Sequence, residues 1–325
     1  MAGVNKVIHS NPELVNEEYI AHDTLSSYLE KQSYTVTRKA HGLDTSFQAE
    51  FGTPGRIVVF CAEYDALPGI GHACGHNLVA TSSLAAFLGA ARVLLDLGLA
   101  GRVRILGTPA EEGGGGGKVK LIEAGALDPP PGEPPIAGAF MVHPMSSESL
   151  GLGSYAGLAG WRLIASEKLR VEQQIQPDER IHGVFEDGGA APNVVPEYTR
   201  MNWCEKSSTV KRSKLLLGRV KRCFEAGALA AGCEVKYIPS LSFMDLRVNN
   251  TLSETFVEEM AILNESFLPR EVQPKAFGST DMGNVSYTVP SFHGRGLAML
   301  AVRVLVEEGV AEGARRDFEK EEDDV

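Results

Sequence analysis

Apolar positions along this chain follow two rhythms. Short continuous runs, Ile57 to Phe60, Val103 to Gly107 and Ala137 to Val142, read as buried strands. Between them lie stretches with helical spacing: Leu78 to Leu97, stopped by Gly98, and Lys118 to Ala124, capped by Gly125. Strands alternating with helices predict an α/β fold. Ser33 to Thr37 and Ser46 to Phe51 add two short strands, with Gly52 to Gly55 turning into the next. Asn11-Pro12 marks an early helix start, followed at helical spacing by Ala21, Leu25, Tyr28 and Leu29. From about Ala156 the pattern changes, with a helix from Lys214 to Ala226 closed by Gly227 and a strand over Glu234 to Tyr237.

Polar residues that carry chemistry follow each central strand. After Phe60 come Glu63-Tyr64-Asp65-Ala66-Leu67-Pro68 and Gly71-His72-Ala73-Cys74-Gly75-His76-Asn77. Two carboxylates, one thiol and two imidazoles in this span are the donors a borderline metal such as zinc takes. Cys74 and His76, two apart on a glycine-containing turn, can point to one side. After Gly107 comes the pair Glu111-Glu112 and a five-glycine run, Gly113 to Gly117. One of two adjacent carboxylates can bind a metal while its neighbour stays free as a general base. The glycine run lets backbone pass close to something bulky. After Val142 stands His143-Pro144. Three successive strands thus deliver ligands to one end of a sheet, where open α/β sheets place their sites. Read singly, each is an ordinary capping carboxylate, an acidic loop or a structural histidine. His9 and His22 lie outside the cluster and are expected to face solvent; His41 carries no role.

Composition narrows the partners. The 325 residues allow two domains. A net charge of −11 argues against nucleic acid or an anionic membrane as the main partner. The five cysteines, Cys61, Cys74, Cys204, Cys223 and Cys233, form no disulfide framework, and Met1 to Ser10 lacks an apolar signal core. No stretch is read as a transmembrane span. A cytoplasmic location is the expectation.

These residues resemble the zinc-dependent amidohydrolases and exopeptidases of metallopeptidase family twenty, nearest to the subgroup holding the β-alanyl-lysine dipeptidase and the bacterial aminobenzoyl-glutamate hydrolase. The resemblance rests on Ile8 to Leu14, Asp65 to Pro68, His72 to Asn77, Pro109 to Gly113, Val142 to Pro144, Pro192 to Glu197 and Ser279 to Ser286. It implies a three-layer αβα catalytic domain over residues 1–156 and 242–325. A shortened ferredoxin-like lid and dimerisation domain over 157–241 would be inserted into it, with Arg180 to Val184 as a lid strand and a homodimer formed through the lid. It implies Cys74, His76, Glu112 and His143 as metal ligands, Glu111 as general base and Asp65 as the residue orienting a ligand. One or two zinc ions, or manganese, would serve hydrolysis of a small amide or dipeptide.

Two departures stand against that pattern. The lid turn that carries a histidine is absent where Trp161 to Ala165 runs into Ser166 to Leu169. The last histidine ligand is absent where Gly294 runs into Arg295, and His293 matches a position ahead of that ligand. Both remove whole elements, as a shortened reading or splicing of a fuller gene would. They keep a second reading open: a metal-binding homologue without turnover, pairing with an intact relative.

Overall fold

The computed structural model describes residues 1–144, 157–163, 175–265, 267, 279–294 and 297–322. Ten strands occur among them: β1 (Val36–Arg38), β2 (Phe47–Thr53), β3 (Ile57–Ala62), β4 (Gly101–Gly107), β5 (Gly138–Met141), β6 (Gly157–Leu163), β7 (Arg180–Asp187), β8 (Arg200–Ser207), β9 (Tyr237–Phe243) and β10 (Ser291–His293). The α-helices are α1 (Ala2–Ser10), α2 (Tyr19–Lys31), α3 (His76–Leu97), α4 (Gly117–Glu123), α5 (Val210–Ala231), α6 (Asn250–Ile262), α7 (Met282–Ser286), α8 (Leu297–Val306) and α9 (Glu308–Glu322). Contacts divide the chain into two compact units. One comprises Met1–Ser154, Arg247–Lys275 and Asn284–Val325; the other comprises Tyr155–Leu246 and Ala276–Gly283.

The first unit holds a six-stranded sheet in the order β1-β2-β4-β3-β5-β10. β4, β3, β5 and β10 run parallel, and β1 and β2 add an antiparallel edge. All six residues of β3 are buried, as expected for a central parallel strand covered on both faces. Alternation sends Val58, Phe60 and Ala62 into the core shared with Leu84 and Phe87 of α3 and Leu300 and Val304 of α8. Parallel strands bring their carboxyl ends to one rim. Glu63, Thr108 and Val142 each follow a strand end there, and His293 closes β10 beside Met141.

The second unit is an antiparallel sheet ordered β7-β8-β6-β9, with α5 packed on β8 and β6. That strand order, with a helix between the third and fourth strands in chain order, matches the one found in ferredoxin-like folds. Ser166 to Leu169 and Arg295 lie outside the described residues. Met201, Val220 and Phe224 form its small core.

Several expectations need correction. Asn11 ends a helix rather than starting one: its backbone N–H bonds Ile8 O and its side chain donates to Val7 O at 2.8 Å. Pro12 then follows a helix stop, and the next helix starts at Tyr19. α5 runs past Gly227 to Ala231 because the buried stripe Leu216, Val220, Phe224, Ala228 carries its apolar face through; the left-handed cap is Gly232, φ 66°. The strand expected over Glu234 to Tyr237 is instead Tyr237–Phe243, its register set by pairing with β6. His22 is buried against Phe47 rather than facing solvent, and burial pulls its pKa down. α3 is long and apolar enough to cross a membrane by length and composition, against the expectation of no such stretch. More than half of its most apolar window is buried in the core, since an Ala-rich helix packs closely on a sheet.

Glu205 of β8 carries a buried carboxyl: it is 1% exposed and its Oε1 has no hydrogen-bond partner. Burial pushes its pKa from 4.5 up to about 8. The folded state therefore holds the proton more tightly, so this contribution is full below pH 4.5 and is lost as pH rises through about 8. In Glu205→Gln, the fall in melting temperature between pH 5 and pH 8.5 is expected to be smaller than in the parent; equal slopes in the two melts would refute it.

Candidate metal centre at the carboxyl rim

The loop after β3 is fastened at several points. Ala66 N–H donates to Glu13 O at 2.8 Å, Leu67 and Gly71 bond each other's backbone, and buried Tyr64 donates its hydroxyl to Thr45 O. Gly75, at φ 84°, then turns the chain into α3. A Cβ there would lie 2.5 Å from Pro144 Cγ, so only glycine lets the His143-Pro144 segment approach this turn. Cys74 Sγ thereby lies 3.4 Å from His143 Nε2.

The loop after β4 is held by a different device. Buried Ala110 adopts φ 61°, a left-handed conformation that costs a non-glycine residue roughly 1–2 kcal/mol. Two bonds hold it there: its N–H to Glu18 Oε1 at 2.9 Å, and its carbonyl to Gly117 N–H at 3.0 Å. The strained residue aims Glu111 and Glu112 at the rim. The glycine run then folds back onto its own strand end. A Cβ on Gly117 would lie 1.6 Å from Pro109 O, and one on Gly115 would lie 2.6 Å from Ala110 O. The bulky thing that the run passes is therefore the protein's own backbone.

Asp65 joins these pieces. Its Oδ1 and its carbonyl each accept from His76 Nδ1 at 3.0 Å, and its Oδ2 accepts from Glu112 N–H at 2.8 Å. With Nδ1 committed as donor, His76 Nε2 faces Glu63 Oε2 at 3.5 Å, Glu112 Oε1 at 3.9 Å and Glu111 Oε2 at 4.0 Å. Burial lowers the His76 pKa, but the bond to Asp65, the neighbouring Cys74 sulfur and the charges of Glu63 and Asp65 outweigh it, pushing the pKa up to about 12. His143 donates from Nδ1 to Pro144 O at 2.8 Å, which leaves Nε2 as an acceptor toward Cys74. Burial lowers the His143 pKa and raises that of the Cys74 thiol.

The ligand atoms of Cys74, His76 and His143 lie within 4.8 Å of one another, and so do those of His76, Glu111 and Glu112. The two groups share His76. All six residues named from the sequence, Asp65 included, thus meet in one place. Of the two imidazoles in the first motif only His76 joins; His72 turns to Ile8 O at 3.1 Å. The donor set of nitrogen, sulfur and carboxylate oxygen suits a zinc-type divalent cation. His76 Nε2 and Glu63 Oε2, both buried, make no hydrogen bond and face each other across the space such an ion would take.

Sequence reasoning gave no individual role to three residues that matter here. Glu63 is fully buried and ion-paired with buried Lys118, whose charge with those of His76 and His143 overcomes burial and holds the Glu63 pKa down at about 2. The available signal was the place of Lys118, at the start of α4 straight after the glycine run. His293 stacks on His143 at 6.1 Å between centroids, and burial holds its pKa down at about 3.

A parallel α/β sheet bearing a mixed-donor cluster at its carboxyl rim defines the general class. A family model described as peptidase family M20/M25/M40 matches residues 59–301, and the chain belongs to that family. It is 31% identical to the Xaa-Arg dipeptidase of Mus musculus, over 98% of this chain and 88% of the relative. It is 33% identical to the Xaa-Arg dipeptidase of Homo sapiens, over 90% and 75% respectively. The mouse alignment runs over 389 residues against a chain of 325, so the relative carries segments this chain lacks. Among solved structures, the fold resembles the Bacillus subtilis YXEP protein, described as a dinuclear metal-binding peptidase of the M20 family. That likeness has a TM-score of 0.68 at 18% identity, covering 98% of this chain and 96% of the other.

The Gly117 contact yields a direct test. Because the opposing atom is backbone, Gly117→Ala is expected to lower stability by about 1–3 kcal/mol. Urea unfolding measures it; a variant as stable as the parent would contradict the packing described.

Proposed function

We propose that this chain is a metal-dependent hydrolase that cleaves the amide bond of a dipeptide or N-acyl amino acid. The observation that carries the reading is the position of Glu111, whose Oε2 lies 4.0 Å from His76 Nε2 beside the donor cluster. Cys74, His76, Glu112 and His143 are the residues that would hold zinc, or manganese, and Asp65 orients His76 and Glu112. A divalent cation there would polarise the scissile carbonyl and acidify a water. Glu111 would take a proton from a water as its oxygen attacks the scissile carbonyl carbon, and would give that proton to the amine nitrogen as the C–N bond breaks, leaving a carboxylate and a free amine. The cluster needs no covalent intermediate with the chain. The names of the mouse and human relatives make dipeptides ending in arginine the first substrates to try, and the net charge of −11 favours a cationic one.

A second reading, cation binding without turnover, is favoured by the segments that the mouse relative carries and this chain lacks. Purified protein assayed with zinc or manganese against Xaa-Arg dipeptides, aminobenzoyl-glutamate and N-acyl amino acids separates the two. Glu111→Gln is expected to lose about 10²–10⁴-fold in kcat while its metal content, read by elemental analysis, stays at the parent level. A parent that binds metal yet hydrolyses none of the panel would favour the second reading. Full activity in Glu111→Gln would refute the role of that residue.

A further inference from the structure

The buried pair of Glu63 and Lys118 has no part in the reading above. Glu63 follows β3 and Lys118 opens α4, 55 residues later, where the glycine run returns the chain to the sheet. Lys118 Nζ donates to Glu63 Oε1. Both side chains are removed from water, at 0% and 2% exposure. The pair is asymmetric: one carboxylate oxygen is held by the lysine, while Oε2 accepts no hydrogen bond and lies 3.5 Å from His76 Nε2, which is itself without one. A buried carboxylate oxygen left in this state carries a large desolvation cost unless something positive meets it.

We propose that Lys118 is a positioning residue that pins Glu63, turning the carboxylate's second oxygen toward His76 Nε2 as an additional anionic donor to the cation. This rests on the metal reading of the site. The lysine does two things. It fixes which oxygen faces inward, and it cancels one negative charge in a cluster already crowded with Asp65, Glu111 and Glu112. The glycine run is what makes the arrangement possible, because Gly117 allows α4 to begin against Pro109 and so puts Lys118 under the rim.

The two partners predict opposite effects on cation affinity. Glu63→Gln keeps the shape and an oxygen for Lys118 but turns an amide N–H₂ toward the cation. Its affinity for Zn²⁺ is expected to weaken at least tenfold. Lys118→Met removes the largest of the positive charges that offset the Glu63 anion, so Zn²⁺ should bind at least threefold more tightly at pH 8, even though the metal-free protein melts lower. Isothermal titration of the full-length metal-free chain with Zn²⁺ reads both, and thermal melts with and without Zn²⁺ confirm folding. Should Lys118→Met not fold, Glu63→Asp replaces it: it keeps the charge but withdraws the oxygen, and should also weaken binding. Affinities within twofold of the parent for Glu63→Gln, or for the folded partner variant, would overturn the proposal and leave the pair a structural contact. A parent that binds no Zn²⁺ would overturn the metal reading itself, which distinguishes the two failures.

Discussion

The rim depends above all on one carboxylate. Asp65 accepts from His76 on α3 and from the backbone of Glu112 beyond β4, with a separate oxygen for each. It therefore ties together the ends of two strands and the start of a helix. Hydrogen bonds to a charged group contribute roughly 1.5–3 kcal/mol each when buried. More important is direction. With Nδ1 occupied, the imidazole can present only Nε2 to the cluster, and the Glu112 side chain is set by the same anchor. Remove Asp65, and the two donor groups that share His76 lose their common member.

Around that anchor the chain relies on backbone approaches closer than a side chain would permit. Gly75 admits Pro144 and so brings His143 to Cys74; Gly117 admits Pro109 O and so brings Lys118 to Glu63. Ala110 accepts a left-handed backbone where glycine would be the easier residue, and the bonds from Glu18 and Gly117 hold it. Strain of this kind collects where side chains must be aimed. The local oddities of the sequence, five glycines in a row and a proline after histidine, are thus the means by which strand ends meet.

How much of this the sequence disclosed follows from the range of the interactions. β3, β4, β5 and α3 were legible because burial on a central sheet imposes continuous apolar runs and a long Ala-rich helix. The meeting of Cys74, His76, Glu111, Glu112 and His143 was legible because parallel strands send their carboxyl ends one way. What escaped was set by partners distant in sequence. Nothing near Glu63 announces that its countercharge stands 55 residues on. Nothing near His22 announces Phe47. The end of α5 was misjudged because Gly227 resembles a stop, although the buried stripe on either side shows that packing keeps the helix going.

The donor count bears on what the site can do. A zinc ion bound at once by Cys74, His76, Glu112 and His143 would be four-coordinate and closed, the pattern of a structural site. Hydrolysis needs an open position. The geometry offers a way out, because the donors fall into two groups that overlap at His76 rather than one compact ring. Sharing the donors between two positions would leave room for a water beside Glu111. Glu63, held by Lys118, strengthens the side of the cluster that has carboxylates but no thiol. Division of the four residues between two positions would leave room for a water, whereas closure on one ion would favour binding without turnover.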